Sequence, residues 1–183
     1  MINLIARMSE VQFESEISYD ADQGSLDSIE HDLIAIKQDT TYFSGANSSE
    51  EVNRGNKMSK LYQLAGLIYL ERGFKRYPNN VRVARWSDEA FDLLRELVIC
   101  ERPFPLFFIA CEAHTDTQRE LILLILERTH ERSNQRRLYV IQAMIESMWV
   151  QHDLMSDSNT GGRFYADTLN AVMSSNELLP TLA

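Results

Sequence analysis

Apolar residues recur at three- and four-residue steps along most of the chain, which is the spacing of one face of an α-helix. The pattern is clearest at Leu26, Ile29, Leu33 and Ile36, and it returns through residues 83–97. No segment shows sustained two-residue alternation, and no asparagine–glycine hairpin signal occurs. The hydrophobic pattern therefore predicts an all-α fold.

Breakers and turn residues divide this pattern into seven to eight predicted helices within a single domain over residues 1–183. A loop is predicted at about residues 44–56, where small and polar side chains bury too little surface to offset the entropy of ordering. The predicted helices cover residues 2–17, about 26–36, 57–74, about 79–100, 106–113, 116–131, from 134 onward, and 163–174.

Two sequence features predict specific packing. The helix at 57–74 is apolar on nearly all sides, which is typical of a central, buried helix. Gly66 within it costs about 1 kcal/mol relative to alanine, so we expect a neighbouring helix to approach closely there. Thr115 and Gln118 have the spacing of a capping box that opens the helix from 116.

Glu112 stands in an otherwise apolar segment. Because a buried, unpaired carboxylate is costly, we expect Glu112 to be partly buried and paired. Arg119 and Arg102 are the nearest candidate partners in the sequence.

Composition excludes several classes of protein. The chain has 183 residues, a net charge of −9 and two cysteines. The acidic balance argues against a nucleic-acid surface, and two cysteines are too few for a disulfide framework or a multi-cysteine zinc module. Arg7 interrupts the apolar N-terminus, and the run at 121–126 is far shorter than the roughly 20 residues of a membrane span. We therefore expect an intracellular protein without a signal peptide or membrane contact.

No constellation of catalytic or metal-ligating residues emerges from the sequence. Glu127 and His130 have the spacing of two ligands on one helical face, but a di-iron bundle needs two such pairs. Nothing completes a tetrahedral set around Cys111 and His114, and the cysteines are expected to be small buried residues. There is no serine elbow, phosphate loop or dinucleotide fingerprint. We therefore predict that the protein is not an enzyme and that it binds neither a cofactor nor a metal.

Two charged segments each allow two interpretations. Residues 8–36 contain no lysine or arginine, and their acids alternate with apolar residues as in an activation segment. Two amphipathic helices with solvated acidic faces explain the same pattern and are the favoured interpretation. Arg132, Arg136 and Arg137 could hold a phosphate or an acidic partner, although a helix C-terminus also attracts cations.

Two segments, LYQLAGLIYLERGF from Leu61 and PFPLFFIACEAHTDTQRELILLILE from Pro103, carry a family resemblance. They resemble the C-terminal regulatory region, the fungal-specific transcription factor domain, of fungal binuclear zinc-cluster transcription factors. The resemblance covers about residues 56–183. The matching positions are Leu61, Tyr62, Ala65, Ile68, Tyr69, Leu70, Pro105, Leu106, Phe107, Glu112, Ala113, Thr115, Gln118 and Arg119.

The resemblance implies an all-α regulatory domain in the nucleus that acts through transcription-machinery or regulator proteins, and it allows for a small-molecule effector. The zinc cluster with which such proteins read DNA needs six cysteines, so this chain is expected to hold no zinc and to contact no nucleic acid directly. The alternative is a stand-alone helical module that binds a small molecule. Ligand-binding residues, homodimerisation, target genes and the sign of regulation are left open.

Overall fold

The computed structural model describes residues 23–35, 49–75, 78–133 and 136–155. These residues form six helices and no strand. The helices are α1 (Gln23–Ala35), α2 (Ser49–Phe74), α3 (Asn80–Glu96), α4 (Pro103–Cys111), α5 (Asp116–Ser133) and α6 (Arg136–Met155). The all-α prediction is confirmed. The described part holds six helices rather than seven to eight, and the predicted helices at 2–17 and 163–174 lie outside it.

The predicted loop at 44–56 is wrong from residue 49 onward, because α2 begins at Ser49. Glu50 and Glu51 occupy its first turn, where carboxylates interact favourably with the helix dipole. Extending an existing helix is far cheaper than nucleating one, so the buried part of α2 can carry this polar segment without a core of its own. Residues 44–48 lie outside the described residues.

The short helix α4 lies at the centre of the fold. Every side chain from Phe104 to Cys111 is buried, and α4 packs against α2, α3, α5 and α6. Pro103 and Pro105 stand in its first turn, where their missing N–H groups have no partner within the helix. The helix begins three residues before the predicted start at Leu106, because these prolines start it rather than precede it.

Helix α1 packs on α2 through one apolar face, with Leu26, Ile29 and Leu33 all buried. A Cβ atom built on Gly66 would come within 3.2 Å of Cδ2 of Leu33. The predicted close approach at Gly66 is therefore confirmed. Nε2 of Gln63, also on α2, donates to the carbonyl of Leu33 at 2.7 Å.

Helix α2 is buried over most of its C-terminal half, as the sequence predicted, and α3 and α4 pack on its other sides. Helix α6 closes the core with a buried inner face made of Leu138, Ile141, Ile145, Met148 and Trp149. Within the described ranges, none of the helices is both long enough and apolar enough to cross a bilayer.

Candidate functional site

The residues that carry the family resemblance lie on α2, on α4, in the turn that leads into α5 and at the start of α5 itself. Most of them belong to the core: Leu61, Ala65, Tyr69, Leu106, Phe107, Glu112 and Ala113 are buried. Pro105 is buried in the first turn of α4, and Tyr62 is half-buried against the core. Thr115, Gln118 and Arg119 lie closer to the surface. The residues that carry the resemblance therefore serve mainly to join α2, α4 and α5.

An aromatic cluster joins α2 to α4. The ring of Tyr69 lies 4.4 Å from that of Phe108, and Tyr62 stacks on Phe104 at 6.0 Å between ring centroids. Burial raises the pKa of Tyr69 to about 12 and also raises the pKa of Tyr62. Both phenols therefore stay neutral, and both rings serve as packing surfaces.

Glu112 is buried to 2% exposure, and its carboxylate is bound by Arg72 of α2. Nε of Arg72 donates to Oε1 at 3.0 Å and Nη2 to Oε2 at 2.9 Å, a two-bond geometry that favours arginine. Nη1 of Arg72 donates to Oδ1 of Asn80 at 2.7 Å, so the same guanidinium also reaches α3. Nε2 of His114 lies 3.4 Å from Oε2 of Glu112.

The prediction that Glu112 is buried and paired is confirmed, but the predicted partners are wrong. Arg72, forty positions away, takes the place expected of Arg119 or Arg102 because α2 packs directly on α4. Burial by itself raises the pKa of Glu112. Hydrogen bonds from His114 and Arg72, together with the Arg72 charge, outweigh it and hold the pKa below its ordinary value.

Arg119 instead joins α5 to α6. Nη1 and Nη2 donate to the two carboxylate oxygens of Asp153 at 2.8 and 2.6 Å, and Nε donates to the carbonyl of Ala113 at 3.2 Å. The hydrogen bonds from Arg119 hold the pKa of Asp153 down to about 2. The guanidinium also lies over the ring of Trp149, whose Nε1 donates to the carbonyl of Ala110 at 2.7 Å.

The capping box at the start of α5 is confirmed. The backbone N–H of Gln118 donates to Oγ1 of Thr115 at 3.3 Å, and the side-chain Oε1 of Gln118 accepts from the backbone N–H groups of His114 and Thr115. The site roles of Arg72, Trp149 and Asp153 are not visible in the sequence, because these residues bond to Glu112, Ala110 and Arg119, which lie at least 34 positions away from them. Of these three, only Arg72 lies in a segment that the sequence singles out, near the end of LYQLAGLIYLERGF.

The histidines and cysteines do not assemble into a reactive site within the described residues. Both cysteines are buried, as expected, and neither forms a disulfide; burial raises the pKa of the Cys100 thiol to about 11. The rings of His114 and His152 lie 4.7 Å apart beside their carboxylate neighbours. Across residues 23–35, 49–75, 78–133 and 136–155, no three His, Cys, Asp or Glu side chains are placed to hold a metal ion.

Glu30 shows what one part of the acidic segment does. Its carboxylate binds Nζ of Lys75 at 2.6 Å and also bonds to Arg82, and Lys75 lies 2.9 Å from Glu71. These ion pairs tie α1 to the end of α2 and to α3. For residues 23–35 the structure therefore supports the amphipathic-helix interpretation, whereas residues 8–22 lie outside the described part.

Two open grooves mark the surface. The α1–α3 groove, about 780 Å³, has Leu64, Leu67 and Trp86 in its wall and the exposed Ile34 and Val81 at its edge. The α5–α6 groove, about 790 Å³, is formed by Glu120, Leu123, Leu124, Glu127, His130 and Glu131 of α5 with Tyr139 and Gln142 of α6. Both grooves combine apolar and charged side chains.

Comparison with known proteins gives a consistent result. The family described as "Fungal specific transcription factor domain" matches residues 1–172. The chain is 35% identical over 98 residues to a protein named "Transcription factor iacI" from Pestalotiopsis fici, strain W106-1 / CGMCC3.15140. That alignment covers 53% of this chain and 26% of the relative, so the chain corresponds to about a quarter of the curated protein. No solved structure matches the chain.

Proposed function

This chain belongs to the fungal-specific transcription factor domain family, and we propose that it is a regulatory domain of a fungal transcriptional regulator that acts through contacts with other proteins. The observation that carries the proposal is the family match across residues 1–172. The relative named as a transcription factor supports the same role. In this proposal the domain works in the nucleus, as a regulator rather than an enzyme, with transcription-machinery or regulator proteins as its partners.

The surface supports protein contacts as the mode of action. The aromatic side chains of α2 and α4 pack against one another, so they are used to hold the domain together. Of the eight large apolar side chains exposed in the described part of the chain, five lie in the two open grooves, where Val81 is 81% and Tyr139 59% exposed. Exposed apolar side chains grouped in a rimmed groove are typical of a surface that binds another protein. The net charge of −9 disfavours a direct role for this chain in holding DNA.

A reporter assay tests this role. The full chain is fused to an unrelated DNA-binding domain in a fungal host, and reporter expression is compared with that of the DNA-binding domain alone. We expect a clear increase or decrease in expression. A Leu106→Asp variant, which places a charge in the centre of the core, is the unfolded control and should abolish the effect. Reporter output equal to that of the DNA-binding domain alone would contradict the proposal, as would native protein found only outside fractionated nuclei.

A small-molecule sensor is the second candidate, and the α1–α3 groove is the observation that favours it. The side chain of Trp86 is buried beneath this groove with Arg82 lying over its ring, an arrangement that offers an apolar wall beside a cation. Thermal-shift screening of the purified chain with sterols, amino acids and xenobiotics tests this candidate. A concentration-dependent rise in Tm that is lost in Trp86→Ala, measured against that variant's own baseline, would support it, and unchanged Tm throughout would contradict it.

A further inference from the structure

We propose that the α5–α6 groove is a docking surface for a basic amphipathic helix of a partner protein. This assignment rests on the proposed function, because it names the kind of partner that the regulatory domain would bind. The groove is continuous along α5 from Glu120 to Glu131, a span of about 16 Å or three helical turns. An open groove of this length fits the side of a helix, whereas small-molecule sites enclose most of their ligand.

The charge of the groove selects the partner. Glu120, Glu127 and Glu131 line it without any lysine or arginine among the lining residues. All three are exposed, and they form no ion pair within the part of the chain that the structure describes. Glu146 adds a further carboxylate beside the groove, where it accepts a hydrogen bond from Gln142 at 2.9 Å. A partner therefore needs cations at its edges.

The α1–α3 groove differs in this respect. Lys60 lies 3.2 Å from Glu89, and Arg82 is bonded to Glu30, so most charges at that groove already have partners within the chain. The carboxylates of the α5–α6 groove are not neutralised in this way. Of the two grooves, the α5–α6 groove is therefore the one whose carboxylates can be complemented by the cations of a partner.

The apolar part of the groove lies between these carboxylates. Leu123 and Leu124 are 37% and 39% exposed, one turn after Glu120 and one turn before Glu127. Tyr139 is 59% exposed and stacks on His130 at 4.0 Å between ring centroids. Alternation of carboxylates and apolar residues at helical spacing is matched by a helix that presents leucine-like side chains flanked by lysine or arginine.

His130 adds a polar feature to the same groove. Its Nε2 atom is buried and forms no hydrogen bond within the described residues. A buried polar atom without a partner is unfavourable, so a group of the docked helix that reaches Nε2 and bonds to it would strengthen binding. This places a hydrogen-bonding position between the apolar and the acidic parts of the groove.

Fluorescence anisotropy on the purified full chain tests the assignment. The probe is a fluorescein-labelled helical peptide of leucine and lysine, about 18 residues long or five turns, with leucines at three- and four-residue steps. A second peptide has glutamate in place of every lysine. We expect the lysine peptide to bind and its affinity to fall as salt is added, because exposed charges are screened. The glutamate peptide should not bind.

Matched triple variants locate the binding. Glu120→Gln, Glu127→Gln and Glu131→Gln together should weaken the lysine peptide roughly tenfold, the sum expected for three exposed ion pairs. The control is Glu50→Gln, Asp88→Asn and Glu101→Gln, which changes the net charge equally at exposed positions elsewhere. It should leave the affinity within about twofold, since distant exposed charges are screened. Leu123→Gln with Leu124→Gln, in a variant that keeps the helical circular dichroism, should weaken binding independently of charge.

Several outcomes would overturn the assignment. The first two are an equal loss of peptide affinity in the two triple variants and a glutamate peptide that binds as well as the lysine peptide. The others are no binding of either peptide, and full competition by a small aromatic amine that binds as tightly as the lysine peptide. The reporter assay separates this proposal from the proposed function. If the fused chain changes expression but the peptide does not bind, the groove assignment alone fails. If the peptide binds as expected and the fused chain has no effect on expression, the proposed function fails and the groove assignment stands.

Discussion

Glu112 and Arg72 show how a single charged residue can be accommodated in an apolar core. Burying a carboxylate is expensive, and the two-bond geometry of Arg72 offsets that expense by satisfying both oxygens. The side chain of Arg72 is 17% exposed, so the pair stands at the edge of the core rather than at its centre. Because one guanidinium bonds both Glu112 and Asn80, the pair fixes α2 against α3 and the end of α4.

Removing the Glu112 charge should therefore destabilise the domain. We expect Glu112→Gln to lower the free energy of unfolding by about 3 kcal/mol, because breaking a buried ion pair leaves Arg72 without its counter-charge. Urea unfolding followed by circular dichroism measures the change. The exposed Glu101→Gln, as the control, should stay within about 0.5 kcal/mol of the original chain. Equal unfolding midpoints for the two variants would contradict the structural role of Glu112.

Acid should destabilise the protein for the same reason. At Glu112 and Glu30, burial favours the protonated form, yet bonds from arginine and from His114 or Lys75 hold each pKa below the ordinary value of 4.5. The folded chain therefore takes up these protons less readily than the unfolded chain. Their contribution is complete above pH 4.5 and is lost as the pH falls through the lower folded values.

Urea titrations at a series of pH values measure this effect. The free energy of unfolding should decrease from about pH 5 to pH 3, and the decrease should be smaller in Glu112→Gln, which has no proton to take up at that position. Parallel pH profiles for the two proteins would show that another carboxylate is responsible.

At the scale of the helices, α1 is held by α2 more than by any other element. The last carbonyls of a helix have no partner within it, and Nε2 of Gln63 bonds those of Leu33 and Ile34 at 2.7 and 3.3 Å. A side chain of α2 thus completes the end of α1. Glu30 adds the ion pairs to Lys75 and Arg82.

Gln63→Ala should loosen α1 selectively. Losing a partly buried hydrogen bond is expected to lower stability by about 1 kcal/mol, and most of the change should fall on α1. Hydrogen exchange measures this. Gln63→Ala should accelerate exchange of the amides of residues 23–35 more than it accelerates exchange of the amides in α4 and α5. Gln151→Ala, at an exposed position of α6, is the control and should leave α1 exchange unchanged. Uniform acceleration in all helices would argue against a local role for Gln63.

The sequence predicted the helices well where apolar spacing decides the structure and less well where polar residues extend them. The apolar face of Leu26, Ile29 and Leu33 is placed correctly because burial requires that spacing. The start of α2 at Ser49 was missed because a helix already formed continues through residues that would not start one. Among the site residues, the Thr115–Gln118 cap was predictable because it is local, whereas Arg72 meets Glu112 only through the packing of α2 on α4.

At the scale of the whole molecule, α4 is the helix around which the other five described helices form one core. It contacts α2, α3, α5 and α6, and α1 joins through α2. A core of this kind predicts cooperative unfolding, because no helix can leave without exposing side chains that another one covers. The two tryptophans report on different parts of this core, since Trp86 lies on α3 and Trp149 bonds to α4 from α6.

Single-tryptophan variants test the prediction that the chain is one domain. In Trp86→Phe and in Trp149→Phe, the remaining tryptophan reports its own region while circular dichroism reports all helices. Within each variant, we expect the fluorescence and circular dichroism transitions to coincide in urea, as in two-state unfolding. Trp149→Phe should also unfold at lower urea, because the buried hydrogen bond from Nε1 of Trp149 to the carbonyl of Ala110 is lost. Separate midpoints within one variant would indicate two folding units.

The central position of α4 also sets an order of events on the ribosome. Its neighbours α2 and α3 are synthesised before it, but α5 and α6 come after it, and Trp149 follows its partner Ala110 by 39 positions. At about 5–20 residues per second, that interval lasts roughly 2–8 s. During this time the apolar segment PFPLFFIAC lacks α5 and α6, two of the four helices that pack against it. Synthesis of this domain therefore includes a period in which the apolar centre of the fold is open to other proteins on the side that α5 and α6 later cover.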